Sequence, residues 1–182
     1  MIENTDTNLV QECLAGNTKA FEALIDKYQK TIFNIVYRMT DNYDDAEDIT
    51  QSVFIKVYER LGSFNPKYKF FSWLYRIALN ESLNLMNQKK RLSELDADFI
   101  IKEKTPEEKY NELELSERIQ EALMEIEPEH RALIVLKHFE GFSYEEMAYI
   151  FDISEQKVKS RLYTARQMLK DVLIKRGIVG HD

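Results

Sequence analysis

The chain has 182 residues, of which 44% are hydrophobic, with a formal net charge of −7 and a single cysteine, Cys13. One cysteine excludes a disulfide framework and is typical of a reducing compartment, and the acidic total argues against indiscriminate nucleic-acid binding. No apolar run approaches the roughly 18 residues that span a bilayer, and the N-terminus lacks a basic-then-apolar signal pattern, so we expect a cytoplasmic protein without direct membrane insertion.

Three helices are predicted in the first 62 residues. A short one is expected around Asn8 to Ala15, ended by Gly16. A helix of about five turns follows, because apolar residues recur at three- and four-residue spacing. They are Phe21, Leu24, Ile25, Tyr28, Ile32, Phe33, Ile35, Val36 and Met39. A break at Asp41-Asn42 separates it from a third helix, Tyr43 to Leu61, which Gly62 ends.

The third helix has an acidic outer face. It carries Asp44, Asp45, Glu47, Asp48 and Gln51. Clustered carboxylates can bind a metal ion or do acid–base chemistry, but a cluster without a nearby His is more often a solvated helix N-terminus favoured by the helix dipole. We therefore expect no metal site and no catalytic residue here.

The segment from Gly62 to Arg91 is aromatic and basic together. Six aromatic residues fall within twelve positions, namely Phe64, Tyr68, Phe70, Phe71, Trp73 and Tyr75. Lys67, Lys69 and Arg76 lie among them, residues 63–91 have a net charge of +5, and Asn65-Pro66 indicates a loop before a helix near Phe70. Rings that stack on bases beside cations that neutralise phosphates are typical of single-stranded nucleic-acid binding. The alternative is a core role, which we favour for Trp73.

An acidic segment without clear periodicity, Leu92 to Glu114, is interpreted as a linker. Within it, Thr105-Pro106-Glu107-Glu108 has the pattern of a helix start. The next helix carries Leu113, Leu115, Ile119, Leu123 and Ile126, and ends before Pro128. Another, ended by Gly141, is expected to bury Leu133, Ile134, Leu136 and Phe139. Residues 107–176 are thus predicted to form a four-helix unit.

The last two helices of that unit have the pattern of a helix-turn-helix. Ser143 and Glu146 form a capping box, Asp152 is expected in the left-handed turn, and Ser154 caps the second helix. The outward residues are then Lys157, Lys159, Ser160, Arg161 and Arg166, opposite the inward Val158 and Leu162. The segment from Gln156 to Arg176 contains seven Lys or Arg and only one Asp, as expected of a helix in the major groove. By periodicity alone, a solvated basic surface helix remains an equal alternative.

Three segments in fixed order resemble the bacterial extracytoplasmic-function (ECF) sigma factors of the sigma-70 family. They read AEDITQSVFIKVYERLGSF, FFSWLYRIALNESLN and FEGFSYEEMAYIFDISEQKVKSRLYTAR. The resemblance covers about residues 18–91 and 112–172. It implies an all-α fold of two small helical domains joined by an acidic linker. Residues 1–91 would bind core RNA polymerase and open the −10 element, residues 92–111 would be the linker, and residues 112–182 would read the −35 element.

The resemblance also implies roles for single residues. Asp48 and Gln51 fall on the helix that contacts core polymerase. Together with the aromatic and basic pattern, it assigns contacts to the melted −10 strand to Phe64, Asn65, Lys67, Phe71, Arg76 and Asn80. Contacts to the duplex −35 element are assigned to Lys157, Lys159, Ser160, Arg161, Tyr163 and Arg166. Of these, Lys159, Ser160 and Tyr163 match the base-contacting face, and the other three are placed on phosphates.

Several positions depart from the family pattern. Ser52 replaces the usual Glu, which alters the expected contact with polymerase. Asn84 and Asn87 stand where an Asp and an Arg are common, which affects the −10 contacts. Glu155-Gln156 replaces a Gly-Thr pair at the start of the recognition helix, and an acidic residue there can accept from cytosine N4. The −35 preference therefore need not match that of relatives.

The predicted function is a non-catalytic sigma factor without cofactors, whose partners are core RNA polymerase, promoter DNA and an anti-sigma factor. The first rival is an autonomous dimeric helix-turn-helix regulator, which explains the basic helix but not the aromatic segment. The second is a metal-dependent nuclease using the carboxylates near Asp48. His130, His138 and His181 are too scattered to form a ligand set for it.

Overall fold

The computed structural model describes residues 5–95 and 111–179, with side chains for residues 6–92 and 115–179. Within these ranges the chain is helical and has no strand, so the all-α prediction is confirmed. The helices are α1 Thr5–Leu14, α2 Thr18–Thr40, α3 Tyr43–Arg60, α4 Phe70–Leu95, α5 Asn111–Met124, α6 Pro128–Ile134, α7 Tyr144–Phe151 and α8 Glu155–Lys175. A 3-10 turn, Leu61–Ser63, follows α3, and a π-helical turn, Val135–Phe139, continues α6. None of the described helices is long and apolar enough to cross a membrane.

The predicted break between α2 and α3 forms as two adjacent caps. Asp41 ends α2 in the left-handed conformation, with φ of 51°, and its N–H donates to Tyr37 O at 2.8 Å. Asn42 then caps α3, because its side-chain oxygen accepts from the N–H of Asp45 at 2.9 Å. Two polar residues therefore reverse the chain without leaving helix ends unsatisfied.

The first domain buries the apolar faces of α2, α3 and α4 against one another. Leu24, Ile32, Val36 and Met39 of α2 are fully buried, as their spacing predicts. Ala46, Val53 and Val57 of α3 are fully buried as well. Trp73 is buried in α4, so the preferred core interpretation of this residue is confirmed.

The second domain consists of α5 to α8, as the four-helix prediction requires. Leu123 and Ile126 are buried, whereas Leu115 in the first half of α5 is 49% exposed. The predicted burial of Phe139 is wrong. The π-helical turn Val135–Phe139 adds a residue to the turn and rotates Phe139 out of the α-helical face that the sequence assumed.

Of the predicted linker, the structure describes only the residues at its two ends. α4 continues to Leu95, beyond residue 91 where the first domain is predicted to end. The predicted helix start at Thr105-Pro106-Glu107-Glu108 lies outside the described residues.

The helix-turn-helix forms as predicted. The Ser143 side chain accepts from the N–H of Glu146 at 3.1 Å, and the Glu146 carboxylate accepts from the N–H of Ser143 at 2.8 Å, which completes the capping box. Asp152 has φ of 56°, in the left-handed region. Ser154 caps α8, and Val158 and Leu162 are buried beneath it.

The two domains pack against each other in one continuous hydrophobic core. Helix α4 lies against α6 and α7, and α2 lies against α5 and α6. This arrangement determines which of the predicted DNA-binding residues are accessible.

Candidate nucleic-acid interface

The loop before α4 is held by an Asx turn. The side chain of Asn65 accepts from the N–H of Lys67 at 3.1 Å, and its backbone carbonyl accepts from the N–H of Tyr68 at 3.0 Å. Asn65 and Lys67 are exposed as a result. The loop therefore presents the amide of Asn65 and the cations of Lys67 and Lys69 to solvent.

Three of the six aromatic residues of this segment are buried and two are half-buried. Phe70, Trp73 and Tyr75 belong to the core. Phe64 is half-buried, with its ring centroid 5.5 Å from that of Phe70 and 5.6 Å from that of Trp73. Tyr68 is the one ring of the six that is exposed, at 45%. The excess of aromatic residues thus serves packing as well as any contact with bases.

Two of the predicted −10 residues contact the second domain. Phe71 is half-buried, and its ring stacks on Phe142 with centroids 5.3 Å apart and an interplanar angle of 10°. The Arg76 guanidinium lies 3.4 Å from the Asp152 carboxylate and donates to Tyr149 O at 3.3 Å. Asn80, by contrast, is exposed on α4. Of the six predicted −10 residues, Asn65, Lys67 and Asn80 are therefore exposed, whereas Phe71 and Arg76 are covered in part by the second domain.

The exposed side of α8 brings together most of the predicted −35 residues. They are Lys157, Lys159, Ser160, Tyr163 and Arg166. The Lys159 ammonium lies 5.2 Å from the ring centroid of Tyr144, which limits its freedom. Arg161 is half-buried and points away from this group, into a cavity between the domains.

Arg166 has a protein partner that the sequence does not reveal. Its Nε donates to Nε2 of His138 at 3.1 Å, across from α8 to the end of the π-helical turn. Burial, and then the charges of Arg166 and Lys137, lower the pKa of His138 below its ordinary value. A neutral His138 thus acts as an acceptor that orients a cation on the recognition helix.

We expect the stability of the protein to fall as the pH drops below about 6.5, the ordinary pKa of histidine. Below that pH the unfolded chain binds a proton at residue 138, while the folded state resists protonation because its His138 pKa is lowered. His138→Gln keeps an acceptor for Arg166 and does not titrate, so its free energy of unfolding should depend less steeply on pH. Urea unfolding from pH 5.5 to 7.5 measures both slopes, and identical slopes would contradict this role of His138.

The predicted polymerase-contacting residues lie on α3, on a different helix from the predicted −10 residues. Asp48 and Gln51 are exposed on α3 and Ser52 is half-buried beside them. Asp45 is paired with Lys89, with 2.5 Å between Nζ and Oδ2, and so is not a free metal ligand. Across the described residues, no three His, Cys, Asp or Glu side chains are placed to share a metal ion.

A cavity of about 470 Å³ lies between the domains. Its walls include Arg76 and Asn80 of α4, the half-buried His130 of α6, and Arg161 of α8. Residues predicted to contact the −10 element and one predicted to contact the −35 element thus face the same space. The sequence, which separates them by 81 to 85 positions, does not indicate this proximity.

Helix α7 supplies interface residues that sequence reasoning missed. Glu146 pairs with Lys69 at 2.6 Å, and Tyr149 stacks on Tyr68 with ring centroids 4.0 Å apart. Although burial opposes it, hydrogen bonds from Lys69 and Ser143 hold the pKa of Glu146 below its ordinary value. The hydrogen bond to Glu146 in turn raises the pKa of Lys69. Both groups are therefore charged in this arrangement.

Arg131 is a buried cation that joins the two domains. It is 3% exposed, and it donates to the carbonyls of Leu123, Met124 and Ile126 at 2.8 to 3.1 Å and to that of Met39 in the first domain. Burial lowers its pKa to about 10, well above neutral pH. The carbonyls come from the ends of α5 and α2, where helix dipoles favour a positive charge. In the sequence, Arg131 directly precedes the apolar run ALIVL, which does not by itself indicate a buried charge.

Comparisons with known proteins match both domains. Residues 24–92 match the family described as Sigma-70 region 2, and residues 116–169 match Sigma-70, region 4. The ECF RNA polymerase sigma factor SigW of Bacillus subtilis is 32% identical over 176 residues, which are 90% of this chain and 94% of SigW. The ECF RNA polymerase sigma-E factor of Escherichia coli K12 is 33% identical over 177 residues, 91% of this chain and 92% of that protein.

Two solved structures are similar over most of the chain. The sigma factor RpoE of Bartonella quintana, in complex with the anti-sigma factor NepR, has a TM-score of 0.72 and 27% identity, over 85% of this chain and 97% of that one. CnrH, in complex with the cytosolic domain of CnrY, also has a TM-score of 0.72, with 24% identity over 93% of this chain and 97% of that one, and shares the fold.

Proposed function

The chain belongs to the sigma-70 family as an ECF sigma factor, and from this premise we propose that it acts in the cytoplasm, binds core RNA polymerase, directs it to specific promoters and helps to open the −10 element. It is a specificity subunit and not an enzyme. The observation that carries the proposal is the pairing, in one chain, of both sigma regions with two separate surfaces suited to nucleic acid.

We assign the domains as residues 1–91 for core binding and −10 recognition, 92–111 for the linker and 112–182 for −35 recognition. The gap between the two family matches, from residue 93 to residue 115, supports a division in this part of the chain. Helix α4 extends to Leu95, four residues into the assigned linker.

In this proposal α8 is the recognition helix that lies in the major groove. Lys159, Ser160 and Tyr163 contact base edges, and Lys157 and Arg166 contact phosphates. Their common exposure on one side of a helix-turn-helix supports this assignment. Arg161 is placed on a phosphate too, which requires it to leave the cavity between the domains.

The −10 element is assigned to the loop before α4 and to the exposed side of that helix. Phe64 stacks with the unpaired base, Asn65 and Asn80 hydrogen-bond to the melted strand, and Lys67 neutralises phosphate. Phe71 and Arg76 complete the site once the second domain has moved away. Unstacking a base costs a few kcal/mol and stacking on a ring returns about 1–3 kcal/mol, so the net free energy of opening is close to zero.

Polymerase and an anti-sigma factor are the protein partners. Asp48 and Gln51 form the proposed contact with core polymerase, and their exposure on α3 is consistent with it. Ser52, where the family pattern leads us to expect Glu, lies beside them, so the proposed contact has one charge fewer. The Bartonella quintana homologue is bound by an anti-sigma factor in its crystal structure, which supports a partner of that kind for this chain. The rival interpretation, an autonomous dimeric regulator, accounts for α8 but gives no role to the exposed side of α4.

Run-off transcription from a library of random promoter fragments tests the proposal. With core RNA polymerase and this protein, we expect transcripts from a defined subset of fragments that share two sequence elements. Core enzyme alone should not select that subset. No enrichment over core enzyme alone would contradict the sigma-factor function.

On a promoter selected in this way, Lys159→Ala should weaken the dependence on the −35 sequence. A good base contact contributes about 1–3 kcal/mol of discrimination, so the preference for the selected −35 element should fall about fivefold or more. Lys170→Ala removes another exposed cation farther along α8 and serves as the control. If Lys159→Ala transcribes with an unchanged −35 preference, Lys159 is not a base-reading residue.

A further inference from the structure

We propose that, in the free protein, α7 and the turn at Asp152 occupy the −10 surface of the first domain in place of the melted DNA strand. The inference rests on the proposed function, because it concerns the same surface. It goes beyond that function, since it assigns the chain an internal competitor for its own DNA site.

The covering segment imitates single-stranded nucleic acid in its chemistry. Two cations of the first domain are paired with carboxylates of the second, Lys69 with Glu146 at 2.6 Å and Arg76 with Asp152 at 3.4 Å. A melted strand would offer phosphates to the same cations. The carboxylates therefore stand where phosphates would be expected.

A ring of α7 takes the place of a base. Tyr149 stacks on Tyr68, the exposed ring of the loop, with an interplanar angle of 23°. Its carbonyl accepts from Arg76, and its ring lies 5.6 Å from the guanidinium carbon of that residue. Stacking of a further base on Tyr68, besides the one assigned to Phe64, and contact of the strand with Arg76 would use the same two groups. DNA and α7 cannot occupy them together.

Packing behind these contacts holds the domains together. Phe142 lies against both Phe71 and Tyr75, and the Tyr75 hydroxyl donates to Glu140 at 3.1 Å. At the far end of the interface, Gln120 donates to Arg38 O at 3.2 Å, next to the carbonyl that Arg131 contacts. The covered surface is thus part of an interface that runs from α7 to α5.

The closed arrangement also fails to fit the spacing of a promoter. The two elements are named for positions 25 base pairs apart, which is about 85 Å of duplex at 3.4 Å per base pair. In the free protein, Arg76 and Asn80 share one cavity with Arg161. The domains must therefore separate before both elements can be read, and the chain of residues 96–110 has a contour length of about 50 Å for this movement.

The contacts that cover the −10 surface are individually weak. Lys69 is 74% exposed and Asp152 is 83% exposed, so each ion pair is screened by solvent. Contacts of this kind are readily exchanged for polymerase and DNA. The aromatic stack and the packing at Phe142 contribute most of the stability of the closed arrangement, and the ion pairs contribute less.

A triple variant removes the two carboxylates and the ring that occupy the −10 surface, and it leaves the second domain intact. Glu146→Gln keeps the capping box, since Gln also accepts at that position. Asp152→Asn keeps a residue that tolerates the left-handed conformation. Tyr149→Ala removes the ring from a half-buried helix position. The matched control Glu22→Gln/Tyr43→Ala/Glu117→Gln removes the same charges and one ring from exposed positions outside the interface.

The test is made on the full chain without polymerase. Spin labels at Glu59→Cys and Lys170→Cys, both exposed, in a Cys13→Ser background report the distance between domains by double electron–electron resonance. We expect one narrow distribution for the parent and the control, and an added broad, longer component for the triple variant. A broad distribution in the parent, or no change in the triple variant, would overturn the proposal.

The unlabelled proteins are then compared for binding to a fluorescein-labelled, mixed-sequence single-stranded 12-mer by anisotropy. The triple variant should bind about five- to tenfold more tightly than the parent and the control, and Glu146→Gln/Asp152→Asn alone about twofold. Equal affinities would overturn the masking of the −10 surface. Circular dichroism checks that each variant is folded. Because polymerase is absent from both measurements, they stand apart from run-off transcription, whose failure would contradict the sigma function instead.

Discussion

Replacing Arg131 by Met should lower the free energy of unfolding by about 3–5 kcal/mol, because buried carbonyls lose their donor at an estimated 1–3 kcal/mol for each unsatisfied group. Met fills much of the volume but donates no hydrogen bond. The carbonyls of Met124, Ile126 and Met39 would be left without it, whereas that of Leu123 also accepts from the N–H of Ile126 at 3.1 Å. Against a typical total stability of about 5–15 kcal/mol, this loss is severe.

Arg131→Lys should cost less than Arg131→Met but should not restore the parent. A single ammonium cannot reach the set of carbonyls that the guanidinium fork spans. Arg118→Met, at an exposed position of α5, should change stability by less than about 0.5 kcal/mol and is the control. Urea unfolding measures all three. A loss below about 1 kcal/mol in Arg131→Met would contradict the role assigned to this residue.

Replacing Phe64 by Leu should reduce promoter opening about fivefold or more, since stacking of one base on a ring contributes about 1–3 kcal/mol. Leu keeps apolar contact with Phe70 and Trp73, against which the Phe64 ring packs, but has no flat face for a base. The fold should therefore lose much less than the opening reaction does.

Permanganate reactivity of unpaired thymines, measured with core polymerase on a selected promoter, reports opening directly. Phe64→Tyr retains the ring and should open the promoter nearly as well as the parent. If Phe64→Leu opens the promoter like the parent, the base stacks elsewhere, and the exposed Tyr68 becomes the candidate. If opening and stability fall in parallel for Phe64→Leu, its role is structural.

Local rules made the helix boundaries of this chain predictable. The capping box at Ser143 and the left-handed turn at Asp152 depend on side chains within a few residues of the backbone groups that they satisfy. The buried faces of α2 and α3 follow from helical periodicity. These features are properties of short segments, and short segments can be interpreted one at a time.

Features that deviate from α-helical geometry were not predictable in this way. The π-helical turn Val135–Phe139 has no signature in the residues themselves, so periodicity assigned Phe139 to the wrong face. Arg131 would ordinarily be placed outside, and only the convergence of the ends of α5 and α2 makes a buried charge tolerable there. Both depend on how helices meet.

The candidate site was predictable in its residues but not in its accessibility. The sequence identifies the cations and rings of the loop and α4, and the exposed side of α8. It does not indicate that Lys69 and Tyr68 contact Glu146 and Tyr149, more than 70 residues away. Such contacts are decided by the packing of whole domains, which no local pattern encodes.

The central claim is that this sigma factor reads its promoter with two surfaces that become available together only on polymerase. A shift assay at one salt concentration, with and without core RNA polymerase, tests it most directly on a promoter selected by run-off transcription. We predict that the free protein binds weakly, given its net charge of −7 and its covered −10 surface, and that the complex with polymerase binds at least a hundredfold more tightly than the free sigma factor. Equal affinity of the free protein and the complex would contradict the account.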